Sequence, residues 1–139
     1  MFLSVLFGAL AFAGPVTPED VARHKQRMDQ AQDLKDGIHD ALEAKDAAKA
    51  AADAEKLIRI GQREQQYWTK AELPDARQLA KDNLSASRDL ASAARARKWD
   101  LATKALERVE TSCRTCHDLH PEKRVNTMPG PPAPGKKDN

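Results

Sequence analysis

The sequence predicts an all-α fold, an antiparallel up-down-up-down four-helix bundle, and three observations carry that prediction. Ala, Lys, Glu, Gln, Arg and Leu dominate the chain, and all are good helix formers. No proline falls between Pro18 and Pro74, or between Pro74 and Pro121, so nothing interrupts long helices there. Apolar residues recur in steps of three and four, and no stretch shows the period-two alternation of a half-buried strand. Four amphipathic segments joined by short connections pack most simply as neighbours that alternate in direction. The 139 residues fit one domain, here residues 16–120.

The first helix opens at Thr17-Pro18-Glu19-Asp20. Thr17 is a good N-cap, Pro18 suits the first helical position, and acids favour the first turn. Its apolar stripe runs Val21, His24, Met28, Ala31, Leu34, Ile38 and Ala41 or Leu42. A break is expected near Lys45-Asp46, with Asp46 capping the second helix, although no Gly or Pro marks it. The second stripe is Ala51, Ala54, Leu57, Ile58, Gly61, Gln65 and Trp68, and Tyr67 with Trp68 is expected to close the far end of the bundle. Within it, the segment KDAAKAAADAEK reads as a solvated, charged helix face. Pro74 starts the third helix, whose stripe is Ala76, Leu79, Ala80, Leu84, Ser87, Leu90, Ala91 and Ala94. After a turn near Arg97-Lys98-Trp99-Asp100, the fourth stripe is Trp99, Ala102, Leu106, Val109, Cys113 and Cys116, and Pro121 ends it.

The two ends differ from the body. Residues 1–13 are apolar and close on Ala11-Phe12-Ala13, the small-x-small pattern of a secretory signal cut after Ala13. This implies a periplasmic protein, although no Lys or Arg precedes the apolar run. The stretch is shorter than the roughly 20 residues a membrane-spanning helix needs. Residues 121–139 are rich in Pro, Gly and charge, which predicts a disordered tail. With 23 basic and 21 acidic residues, the formal charge is +2, too weak and too evenly spread for nucleic acid. Phe2, Phe7 and Phe12 all lie in the signal, which leaves Tyr67, Trp68 and Trp99 as aromatics. A large apolar ligand would supply bulk that this Ala-rich core lacks.

The only two cysteines stand in Cys113-Arg114-Thr115-Cys116-His117, the C-x-x-C-H pattern of covalent haem attachment. On a helix, positions i and i+3 share a face, so both sulfurs can reach the two vinyl groups along one side of a porphyrin. His117 follows on that face as proximal iron ligand. The cofactor expected is one haem c, entering the core. A thioredoxin-like dithiol would need a βαβ context, and no further ligand set completes a zinc site. A disulfide at this helical spacing has poor geometry. A haem-free helical interaction module with a disulfide or redox C-x-x-C is the alternative from another class. No acid–base pair or nucleophile constellation surrounds the motif, so no enzyme is expected.

His24 and Met28 share the inward stripe of the first helix, and either can face the haem as distal ligand. Met28 is the only methionine of the helical body, since Met1 lies in the signal and Met128 in the tail. It is the first candidate for the sixth iron ligand, with His24 the alternative. A Met that merely fills the core would leave the iron open. His39 lies off the stripe and is expected in solvent. His120, near a helix C-terminus, is expected at the surface.

The stretch KWDLATKALERVETSCRTCHDLH resembles the last helix of the cytochrome c′ and cytochrome c-556 family of four-helix c-type cytochromes. The resemblance covers the layout from Val16 to His120 and is specific in the last helix and around Met28. Family members usually place an aromatic and an arginine just after the motif, where this chain has Leu119, His120 and Pro121. The c-556 type implies a methionine on iron, here Met28, and periplasmic electron transfer with a redox partner that the sequence does not name. The c′ type implies a five-coordinate iron that binds a small gas, nitric oxide or carbon monoxide. The family also implies a homodimer through the first two helices, with Gly61 permitting close approach.

Overall fold

The computed structural model describes residues 14–121. The expected signal, residues 1–13, and residues 122–139 of the expected tail lie outside the described residues. Four helices pack against one another: α1 (Pro18–Glu43), α2 (Ala47–Lys70), α3 (Pro74–Arg95) and α4 (Trp99–Leu119). The described residues contain no strand, and none of their helices is long and apolar enough to cross a membrane.

The helix starts follow the residues that predict them. The Thr17 backbone N–H donates to Asp20 Oδ2 at 2.8 Å and the Asp20 N–H to Thr17 Oγ1 at 3.2 Å, a capping box. At α2 the Lys49 N–H donates to Asp46 Oδ1 at 2.9 Å. Leu73 and Lys98 precede α3 and α4 without a side-chain cap, and Pro74 opens α3 with no N–H to satisfy.

The helix ends obey one rule that the sequence hides. Each connection is three residues long, and its middle residue, Lys45, Glu72 or Arg97, has φ of 55°, 56° or 55°. The two N–H groups that follow each helix fold back onto its last turn. Lys45 donates to Leu42 O and Asp46 to Ala41 O, Glu72 to Thr69 O and Leu73 to Trp68 O, Arg97 to Ala94 O and Lys98 to Ala93 O. This is the Schellman arrangement, which normally uses glycine for its left-handed residue. Here long charged residues accept that conformation three times over.

α2 packs closely on α3 and α3 on α4; α1 leans on α2 and scarcely touches α4. Lys70 Nζ meets Asp20 Oδ2 at 2.6 Å, joining the end of α2 to the start of α1. His120 Nε2 meets Asp75 Oδ2 at 2.8 Å, joining the end of α4 to the start of α3. The core is built of Ile38, Leu57, Leu90, Leu106 and Val109 set among alanines. Gly61 belongs to this interior and not to an outer face: a Cβ there would stand 3.3 Å from Leu84 Cβ. Its smallness serves the contact between α2 and α3.

Several expectations need correction. Val21 is 50% exposed, whereas Lys35 is buried on the inward side of α1. The segment 45–56 is not simply a solvated face, because Ala50, Ala51 and Ala54 are core residues and Asp53 is buried beside them. Asp53 stays charged through its own helix, accepting from Lys49 Nζ at 2.7 Å and Lys56 Nζ at 2.8 Å. Tyr67 and Trp68 lie at the same end as the cysteine motif, packed in one cluster with Ala76, Ala80 and Cys116.

Two outcomes follow. Arg97→Gly relieves the left-handed conformation and should stabilise the protein by about 1 kcal/mol, raising the thermal midpoint by about 4 °C in calorimetry. The second concerns acid. The Lys70 ammonium and the Thr17 backbone N–H and hydroxyl hold the Asp20 carboxyl well below the ordinary value of 3.8. A depressed carboxyl stabilises the fold above its unfolded value and loses that effect as pH falls through the folded one. The stability difference between wild type and Asp20→Asn should therefore be positive at pH 5–7 and shrink steadily below about pH 3.8, as measured by urea unfolding across that range.

Candidate functional site

Where α1 and α4 diverge, an apolar cleft opens between them, floored by α2 and α3. It holds about 1000 Å³ of atom-free space, open solvent at its mouth included. The seam between α1 and α4, the sparsest contact between packed helices, forms its mouth.

α4 lines the cleft with Cys113, Cys116 and His117, and α1 lines it with His24, Met28 and Lys35. The sequence-predicted site residues are thus brought to one cavity. Neither cysteine is in a disulfide, and both are half-buried, as are His117 and Met28. Their meeting follows from helical spacing: Cys113, Cys116 and His117 are three and one residues apart and share a face. His39, by contrast, is exposed, as expected. With Asp40 and Glu43 it forms an exposed group whose ligand atoms lie within 4.8 Å of one another.

Cys113 sits against α3. Asn83 Nδ2 donates to Cys113 Sγ at 3.4 Å and to Ser112 Oγ at 2.9 Å. Burial pushes the Cys113 thiol up from its ordinary value, against a smaller opposing effect of the Lys35 charge. Burial thus works against the thiolate form at Cys113, whereas a redox dithiol uses a lowered thiol.

The largest departure from expectation is His24. Expected only to share the inward stripe, it is 5% exposed and held by a partner on another helix. Its Nδ1 lies 2.7 Å from Glu64 Oε2, and Glu64 Oε1 accepts from Arg27 Nε at 2.5 Å. The imidazole stacks on Tyr67 with ring centres 4.5 Å apart and planes 1° off parallel, and meets Trp68 edge-on at 5.0 Å. Arg27 caps the same Tyr67 ring at 5.9 Å. Burial, then the Glu64 charge, pushes the Tyr67 phenol up, so it stays neutral. His120 is half-covered at this end, 6.3 Å from Trp68 and paired with Asp75, and it does not line the cleft.

Glu64 and Lys35 are the residues that sequence reasoning missed. The signal was present, since Glu64 lies three residues after Gly61 and four before Trp68, and Lys35 lies four after Ala31 and three before Ile38. A charge at a stripe position marks a buried partner when the opposing helix supplies one. Comparison with protein-family models, curated proteins and solved structures returns no match for this chain.

Removing Glu64 leaves a buried imidazole and a part-buried guanidinium without their acceptor. Glu64→Ala should cost about 3 kcal/mol of stability, read as a lowered urea midpoint with an unchanged slope.

Proposed function

We propose that this chain is an exported mono-haem c-type cytochrome that transfers electrons in the periplasm. One observation carries the reading: Cys113, Cys116 and His117 of α4 line the same apolar cleft as Met28 and His24 of α1. That donor set fits a covalent haem. Two thiols on one helix face can each add S–H across a vinyl group to form a thioether. His117, adjacent to them, supplies an imidazole as proximal ligand. The walls around them are mainly apolar, as a haem edge requires. The chain's resemblance to the cytochrome c′ and c-556 family supports the same reading, as do four helices packed against one another.

The bound haem supplies one-electron chemistry at its iron. The rest is the work of the chain. Cys113 and Cys116 would hold the group covalently, so that it would stay bound in either redox state. His117 would ligate its iron from α4, and His24 or Met28 would offer a further ligand from α1. Leu57, Ala80 and Val109 line the cleft with hydrocarbon and exclude water, which keeps rearrangement small when charge changes. A five-coordinate site that binds nitric oxide or carbon monoxide is the neighbouring function, and it follows if α1 leaves the iron open. A redox dithiol is disfavoured by the raised Cys113 thiol.

The test is expression of the full chain with the c-type maturation machinery. The purified protein should gain the mass of one haem, retained after denaturation, and should give sharp reduced absorption bands. His117→Ala should lose that spectrum while keeping the added mass. Replacing both Cys113 and Cys116 with alanine should let denaturation release the haem. A chain that gains no haem mass overturns the reading in favour of a haem-free helical module.

A further inference from the structure

We infer that His24, held by Glu64, is the sixth iron ligand, so that the iron is carried by two histidines. This rests on the haem reading above and selects between the two residues that α1 offers. Three observations point to it.

The first is the ring's carboxylate partner. His24 Nδ1 is engaged by Glu64 Oε2 at 2.7 Å, which leaves Nε2 as the nitrogen a metal would take. A metal-bound histidine characteristically gives its other N–H to a carboxylate, which fixes the ring and raises its basicity. Glu64 is itself fixed by Arg27 through its second oxygen, so the carboxylate cannot swing away.

The second is immobility. The His24 ring is clamped between a parallel Tyr67 and a perpendicular Trp68. A ligand whose rotamer is already locked loses little entropy when it binds metal. Met28 is half-buried, with a flexible thioether of the kind that fills gaps.

The third is height along the helices. Trp68 touches both His24 and His120, at 5.0 and 6.3 Å. The pairs Asp20–Lys70 and His24–Glu64, the Gly61–Leu84 contact, and the pairs Asn83–Ser112 and Asp75–His120 set the register from helix to helix, and carried across they bring His24 level with the turn of α4 that holds Cys116 and His117. Met28 lies four residues further along α1, about 6 Å deeper at 1.5 Å per residue. Glu64 is then a positioning residue, acting on iron only through His24.

The experiment uses the full chain loaded with haem. The oxidised wild type should be low-spin and lack the weak red methionine–ferric band. Met28→Leu should leave that spectrum unchanged, whereas His24→Ala should turn it high-spin with helix content preserved in circular dichroism. Glu64→Gln should stay low-spin but weaken the His24 bond about 10- to 100-fold, seen as faster carbon monoxide binding to the reduced protein. A red methionine band in the wild type, or a high-spin Met28→Leu, overturns the inference and leaves the haem reading standing. A high-spin wild type overturns it in the same way. A chain with no added haem mass overturns both. The wild-type spectrum decides the matter even if His24→Ala fails to fold.

Discussion

α1 reaches the other helices chiefly through α2, and Glu64 is a buried polar point of that contact with partners on both oxygens. A carboxylate inside an apolar wall is tolerable only when both oxygens are satisfied. Here one oxygen meets His24 and the other Arg27, both from α1. The two helices are therefore held in one register as well as side by side, because sliding α1 by a residue would strand all three groups. The register in turn sets which α1 side chains look into the cleft. His24, Met28 and Lys35 do so because Glu64 fixes where α1 stops.

The remaining helices are held by a different kind of force. α2, α3 and α4 approach closely over alanines and Gly61, which keep backbones near one another. Small residues give close packing but little volume. The large side chains that the core does hold, Tyr67 and Trp68, gather at the end where α1 starts and α4 finishes. They make the wall against which the cleft is shaped, and they keep His24 out of water.

Much of this was legible along the chain, and what was not shares one cause. Helix starts could be read from Thr17, Asp46 and Pro74 because capping is a local event. The motif at Cys113, Cys116 and His117 was legible for the same reason, since three residues within one turn of helix decide their own geometry. The left-handed residues Lys45, Glu72 and Arg97 were not, because the usual signal is glycine and these turns lack it. Glu64, Lys35 and Asp53 read as solvated charges until the facing helix is known. His24 was placed correctly on the inward stripe, yet its burial depended on an acid forty residues away. The end of the helices at which Tyr67 and Trp68 lie was likewise a matter of tertiary contact, which periodicity does not encode.

The thin seam between α1 and α4 also bears on the order in which the molecule comes together. α2, α3 and α4 share extensive contacts between neighbours in sequence, the kind that form early and cost little loop closure. α1 adds fewer contacts and closes the cleft. Regions with few buried contacts open at lower free energy than the rest. The molecule is thus divided into a three-helix platform and a hinged cover. Local opening of α1 from that platform is therefore expected to cost less than global unfolding. The residue that secures the cover, Glu64, sits on the platform side of the hinge.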